Sequence, residues 1–150
     1  MSQLDLDRYV PFFLSSIGNK LSRGASRLYL GKFGVGVNEW RLLANLKVRG
    51  AASARAICDA SGIDKAAASR AVGRLQELGL VRAVGDPTDG RSRQLSMTEA
   101  GEALHDRIIT VALERERALL SGLSASERDD LIELLRRLYA NVELLDAQYS

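Results

Sequence analysis

The sequence predicts a mainly α fold with a small β hairpin (α+β), and three observations predict it. Long stretches near both ends place apolar residues at helical spacing. The middle is a series of short helix-like segments punctuated by glycines. One segment within it switches to an alternating pattern around a stretch dense in turn formers.

From Val10 the apolar positions run Val10, Leu14, Ile17, Leu21, Ala25 and Leu28, in steps of three and four, which is one stripe of a helix. Pro11 suits its first turn, where a missing N–H costs nothing. Gly31, Gly34 and Gly36 are expected to end it. Asn38 is expected to cap a short helix that turns Trp40, Leu43 and Leu46 inward. Ser53 starts a second short helix, residues 54–60, and Ser61-Gly62 supplies a turn plugged by Ile63. Asp64 caps a third helix, residues 65–78, stopped by Gly79. Short helices joined by a glycine-containing turn are the helix-turn-helix pattern. In the third helix Ala68, Val72 and Leu75 are expected to pack inward. Lys65, Ser69, Arg70, Gly73 and Arg74 take the remaining surface, with small Ala66 and Ala67 in the exposed first turn. Residues 80–84 read as a strand, residues 85–93 as a long turn, and residues 94–98 as a returning strand. Such a hairpin projects as a wing, so the whole reads as a winged helix-turn-helix.

Thr98 is placed to cap a helix carrying Leu104, Ile108, Val111, Leu119 and Leu120. Ser124-Ala-Ser-Glu127 has the capping-box form. Behind it Leu131, Leu134, Leu135, Leu138, Val142 and Leu145 line one face. Helices of twenty-odd residues are ~30 Å long, too long to bury their stripes on one small core. Their stripes need a bundle or a second subunit.

The chain has 150 residues, 46% apolar and 27% charged, so a single folded domain over 1–150 is expected. No run approaches the ~18 apolar residues of a membrane span. The opening MSQLDLDRYV has acids where a secretory signal begins basic, so a cytoplasmic protein is expected. The single cysteine, Cys58, excludes an internal disulfide and a multi-cysteine zinc site. The single histidine, His105, excludes a His-rich metal site. No metal or other cofactor is expected. Nor is an enzyme, since the sequence has no nucleophile–base constellation, phosphate loop or metal cluster.

The net charge of +2 hides a division. Residues 1–40 carry +2, residues 41–95 carry +5 and residues 96–150 carry −5. A basic middle is a possible polyanion footprint. Serine and arginine on an exposed helix face bond phosphates or base edges, and arginines near a wing tip suit the minor groove. The plain alternative is a solvated surface.

The stretch from Arg70 to Arg82, followed by Asp86-Pro-Thr-Asp-Gly-Arg91-Ser-Arg93-Gln-Leu-Ser-Met-Thr98-Glu-Ala-Gly101, resembles the MarR family of bacterial transcription regulators. The wing motif is the most specific part. Gly90 stands where many members have arginine, and Met97 where leucine is usual. The resemblance covers nearly the whole chain. It implies a DNA-binding winged helix over about 38–98, flanked by dimerisation helices over about 8–31 and 98–148. It also implies a homodimer on a pseudo-palindromic double-stranded operator, with half-sites near one turn, ~10 bp, apart. By motif position Lys65, Ser69, Arg70 and Arg74 fall to the recognition helix, and Asp89, Arg91 and Arg93 to the wing.

Members of the family often release DNA when a small, frequently aromatic, acid enters a cleft near the first two helices. Ile17, Arg23, Trp40 and Arg41 are the candidates that this implies. The plainer reading of Ile17 and Trp40 is core, and of the arginines phosphate contact or solvation. Some branches sense oxidants through cysteine. Against that, Asp59 would raise the Cys58 pKa, and no second cysteine is present to resolve an oxidised thiol. His105 is expected to be exposed or at an interface. A winged helix used for protein–protein contact is the further alternative, disfavoured by arginines on both helix and wing.

Overall fold

The computed structural model describes residues 3–85 and 93–149. After a short 3-10 turn, Leu6–Arg8, the elements are α1 (Val10–Phe33), α2 (Val37–Arg49), β1 (Ala52–Ser53), α3 (Ala54–Ser61) and α4 (Lys65–Glu77). Strands β2 (Val81–Gly85) and β3 (Arg93–Met97) follow, then α5 (Glu99–Leu119) and α6 (Ala125–Tyr149). Two compact units divide the chain, residues 1–109 and 110–150.

The first unit is a helical core with a three-stranded antiparallel sheet in the order β1-β3-β2. Leu42, Leu43 and Leu46 of α2, Ile57 of α3 and Leu75 of α4 are almost fully buried, with Leu95 of β3 and Ile108 of α5. Ala68 and Ala71 complete the inward face of α4. The expected Val72 is only half-buried there, because Ala71 points closer to the core centre. Small alanines allow α4 to approach the α2 leucines closely.

α1 runs through Gly31, a breaker by its sequence pattern, and stops at Gly34, whose φ of 74° closes the helix in the left-handed region that glycine favours. A single glycine inside a helix costs only ~1 kcal/mol, so the flanking turns carry the helix across Gly31. α2 begins two residues earlier than expected, with Gly36 at its N-cap. Asn38 therefore lies inside the first turn and does not cap it; its side-chain oxygen accepts from Arg41 Nη1 at 3.4 Å.

The strand β1 is too short to show alternation in sequence. It pairs Ala52 with Leu95 and Ser53 with Gln94. On the other edge of β3, Val81 faces Met97 and Gly85 faces Arg93. The entry to α5 closes against the end of α4. Thr98 Oγ1 donates to the Gly79 carbonyl at 2.6 Å and accepts from Gly101 N–H at 3.1 Å, capping α5 as the sequence suggests. Thr98 N–H donates to the Leu80 carbonyl at 3.0 Å. A Cβ on Gly101 would overlap that same carbonyl oxygen, so this crossing admits only glycine.

In the second unit Glu127 N–H donates to Ser124 Oγ at 3.1 Å and Ser124 N–H to Glu127 Oε2 at 2.7 Å, the reciprocal capping box at the start of α6. Arg128 Nη2 donates to the Leu120 carbonyl at the end of α5. α6 has no buried residue, and its apolar face, including Leu134, Leu138, Val142 and Leu145, is exposed in the single chain. No helix among the described residues is long and apolar enough to cross a membrane.

Candidate nucleic-acid interface

The helix-turn-helix is built from local chemistry. Ser53 Oγ accepts from Ala56 N–H at 3.1 Å and starts α3. Gly62 ends α3 with a φ of 62°. Asp64 Oδ1 accepts from Ala67 N–H at 2.9 Å and starts α4, a cap worth about 1 kcal/mol. Asn45 Nδ2 donates to Ser61 Oγ at 3.0 Å and to the Arg41 carbonyl at 2.9 Å. It fastens the turn to α2, a role its sequence position gives no reason to suspect.

With Ala68, Ala71 and Leu75 inward, Lys65, Ser69, Arg70 and Arg74 are all exposed on the other side of α4. Arg74 makes a loose surface pair with Glu77 at 3.9 Å. Lys65, Ser69, Gly73 and Gln76 line an open groove shared with Arg55 and Cys58 of α3. Arg55 and Gln76 are additions to the sequence-derived set. Only the packing of α3 beside α4 brings Arg55 there, while Gln76 lies within reach of a sequence argument, two turns beyond Ser69 and one beyond Gly73. On the far flank Ala67 and Arg70 share a small cleft with Ser26 of α1, with Gly36 at the N-cap of α2, and with Asn38 and Glu39 of α2. On the wing, Arg93 is exposed, paired in register with Gly85. Asp89 and Arg91 lie outside the described residues.

The four effector-cleft candidates do not share the cleft that Arg23 lines. That cleft is made with Lys20, Ser26, Arg27 and Leu30. Ile17 is 47% exposed, so the core reading of it is wrong in the single chain. Trp40 is half-buried and packs against Tyr29 edge-on at 6.3 Å and His105 face-on at 5.3 Å. Arg41 Nη2 donates to Ser22 Oγ at 2.9 Å, tying α2 to α1.

His105 is 4% exposed, which overturns the expectation of a surface or interface position. Its neighbours on α5 are charged, but its own side chain turns under Trp40. Nδ1 lies 3.0 Å from Asp106 Oδ1 and donates, since an ionised carboxylate only accepts. That bond, aided by nearby Lys47, holds Asp106 below the usual carboxylate range. Lys47 pairs with Glu102, and the hydrogen bond raises its pKa. Cys58 is half-buried, and burial, then the Asp59 charge, pushes its thiol up. Such a thiol is a poor oxidant sensor.

A MarR family model matches residues 33–92, from the last residue of α1 through α2, α3, α4 and β2 to the residue before β3. The HTH-type transcriptional regulator PecS of Dickeya dadantii (strain 3937) is 30% identical over 128 residues, covering 83% of this chain and 76% of that protein. The chain belongs to the MarR family of transcriptional regulators. A MarR/EmrR family transcriptional regulator from Acinetobacter sp. ADP1 has a crystal structure that matches with a TM-score of 0.87 and 34% identity, over 94% of this chain and 99% of that one. The HTH-type transcriptional repressor IacR of Pseudomonas putida is 29% identical over 136 residues, covering 90% of this chain and 81% of that protein. Membership makes this MarR-family chain a DNA-binding regulator, not an enzyme.

Proposed function

We propose that the chain acts as a homodimeric repressor that places two α4 helices in successive major grooves of a pseudo-palindromic operator. The observation that carries this reading is the exposed side of α4, which presents Lys65, Ser69, Arg70 and Arg74, with only Arg74 in a loose ion pair, to Glu77, among the described residues. Arg93 and, from the family motif, Asp89 and Arg91 extend the contact along the wing. Residues 1–150 work as one functional domain, in the cytoplasm. The exposed apolar stripes of α1 and α6 supply the self-association surface. Repression accords with the name of the Pseudomonas relative. Release by a small aromatic acid accords with the family resemblance, with Ile17, Arg23, Trp40 and Arg41 as the residues to vary.

The test is selection of bound sequences from random DNA with the purified protein. A two-fold symmetric consensus with half-sites ~10 bp apart is the expected result. A dimer neutralising ~6–10 phosphates weakens by ~10³–10⁵ in affinity between 50 and 200 mM salt. A flat salt response, or no enriched sequence, refutes the reading.

A further inference from the structure

We infer that α1 is a second DNA-contacting element, whose basic face grips the phosphate backbone beside the half-site read by α4. The inference rests on the operator-binding reading above.

α1 carries four basic residues, Lys20, Arg23, Arg27 and Lys32, and no acidic one. Lys20, Arg23 and Arg27 are three and four residues apart, so they share one face. All three are exposed and, among the described residues, have no carboxylate partner within ion-pair distance. They line a single shallow cleft with Ser26 and Leu30. An unpaired cationic row is unusual on a helix that only fills space, because opposite charges at these spacings are the ordinary way to stabilise an exposed face.

The row is also placed for DNA. Ser26 lines this cleft and also the small cleft that holds Ala67 and Arg70 of α4. The cleft of the basic row therefore meets the cleft beside Arg70 at Ser26, although Glu39 also lines the second. At about 100° per residue, it lies roughly 120° around the helix from the apolar stripe of Leu14, Ile17 and Leu21. A second subunit seated on that stripe leaves the basic face open. The third side of α1 is the one that packs, through buried Ala25 and Tyr29 and through Ser22, which accepts from Arg41. Lys20 to Arg27 spans ~10 Å along the helix, against ~3.4 Å of axial rise per phosphate of one strand, so three cations match about three phosphates. Such contacts carry no sequence information; they fix register and add affinity on any duplex.

The experiment is mobility-shift titration over 50–200 mM salt, using the selected operator duplex and an unrelated duplex of equal length. The proteins are wild type, Arg23→Gln, Lys32→Gln and the triple variant Lys20→Gln/Arg23→Gln/Arg27→Gln. Each phosphate left without its cation lowers the salt slope by ~0.9, so the triple variant should fall by up to ~2.7 per bound copy and weaken on both duplexes alike. Lys32→Gln makes the same charge change off the row and should leave the slope unchanged. A triple variant equal to wild type overturns the inference, as does a Lys32→Gln loss as large as that of Arg23→Gln, which would mean a general charge effect. A triple variant that binds DNA normally but loses release by added aromatic acid, such as salicylate, also overturns it, since the cleft would then hold a small anion. Failure of wild type to bind any selected duplex sinks the operator reading itself. An unchanged thermal unfolding midpoint separates each loss from misfolding.

Discussion

Gly101 decides how closely the start of α5 approaches the chain entering the wing. Any side chain there meets the Leu80 carbonyl, a backbone atom that cannot swing aside. Gly101→Ala should destabilise the protein toward the upper end of the ~1–3 kcal/mol typical of overpacking, read as a lowered urea midpoint. Cys58 is expected to be sluggish. With its thiol pushed up by burial and by Asp59, iodoacetamide should alkylate it more slowly at pH 7.5 than it alkylates glutathione. Asp106 behaves oppositely. Its folded pKa is depressed, so it binds fewer protons folded than unfolded. The stability it adds is present above the ordinary carboxylate value and is lost as pH falls through the folded one. Asp106→Asn should flatten the pH dependence of Tm below about pH 4. A slope matching wild type there would remove Asp106 from the account.

α4 depends on its cap as much as on its inward face. Asp64→Ala should cost about 1 kcal/mol and lower operator affinity further, because it frays the turn that holds Lys65 and Ser69. Calorimetry and mobility shift on one preparation check both. The caps at Ser53, Asp64, Thr98 and Ser124 are legible in sequence because each acts within three residues of itself. So is the exposed face of α4, since helical spacing alone sorts Lys65 from Ala68. What escapes needs a partner from elsewhere in the chain. β1 exists only because β3 lies beside it, Arg55 reaches the groove only through the packing of α3 on α4, and Asn45 matters only where Ser61 comes near. His105 misleads for a related reason: charged neighbours describe a helix as a whole, while burial belongs to one side of it. The α1 basic row is hidden by arithmetic, because Asp5, Asp7 and Glu39 lie just outside the helix and dilute its charge.

The single chain exposes more apolar surface than a monomer of this size has use for. Phe12, Leu14, Ile17 and Leu21 on α1 and Leu134, Leu138, Val142 and Leu145 on α6 are all accessible. Exposed apolar stripes of this kind mark interaction surfaces. Sedimentation should find a dimer at micromolar protein. Ile17→Asp and Leu138→Asp should each shift it toward monomer and weaken operator binding, whereas Leu43→Asp, in the core, should unfold the protein. A wild-type monomer that binds the operator tightly would remove the pairing from the account.

Trp40 is the sole indole of the chain, and it lies face to face with an imidazole at the meeting of α1, α2 and α5. The molecule thus carries its own optical reporter. Excitation at the red edge of protein absorption addresses one position alone, between the helix that bears the basic row and the helix that leads out of the wing. Unfolding separates the rings and wets the indole, which shifts its emission to the red. Any rearrangement of that junction on binding DNA or a small acid changes the same signal without a label.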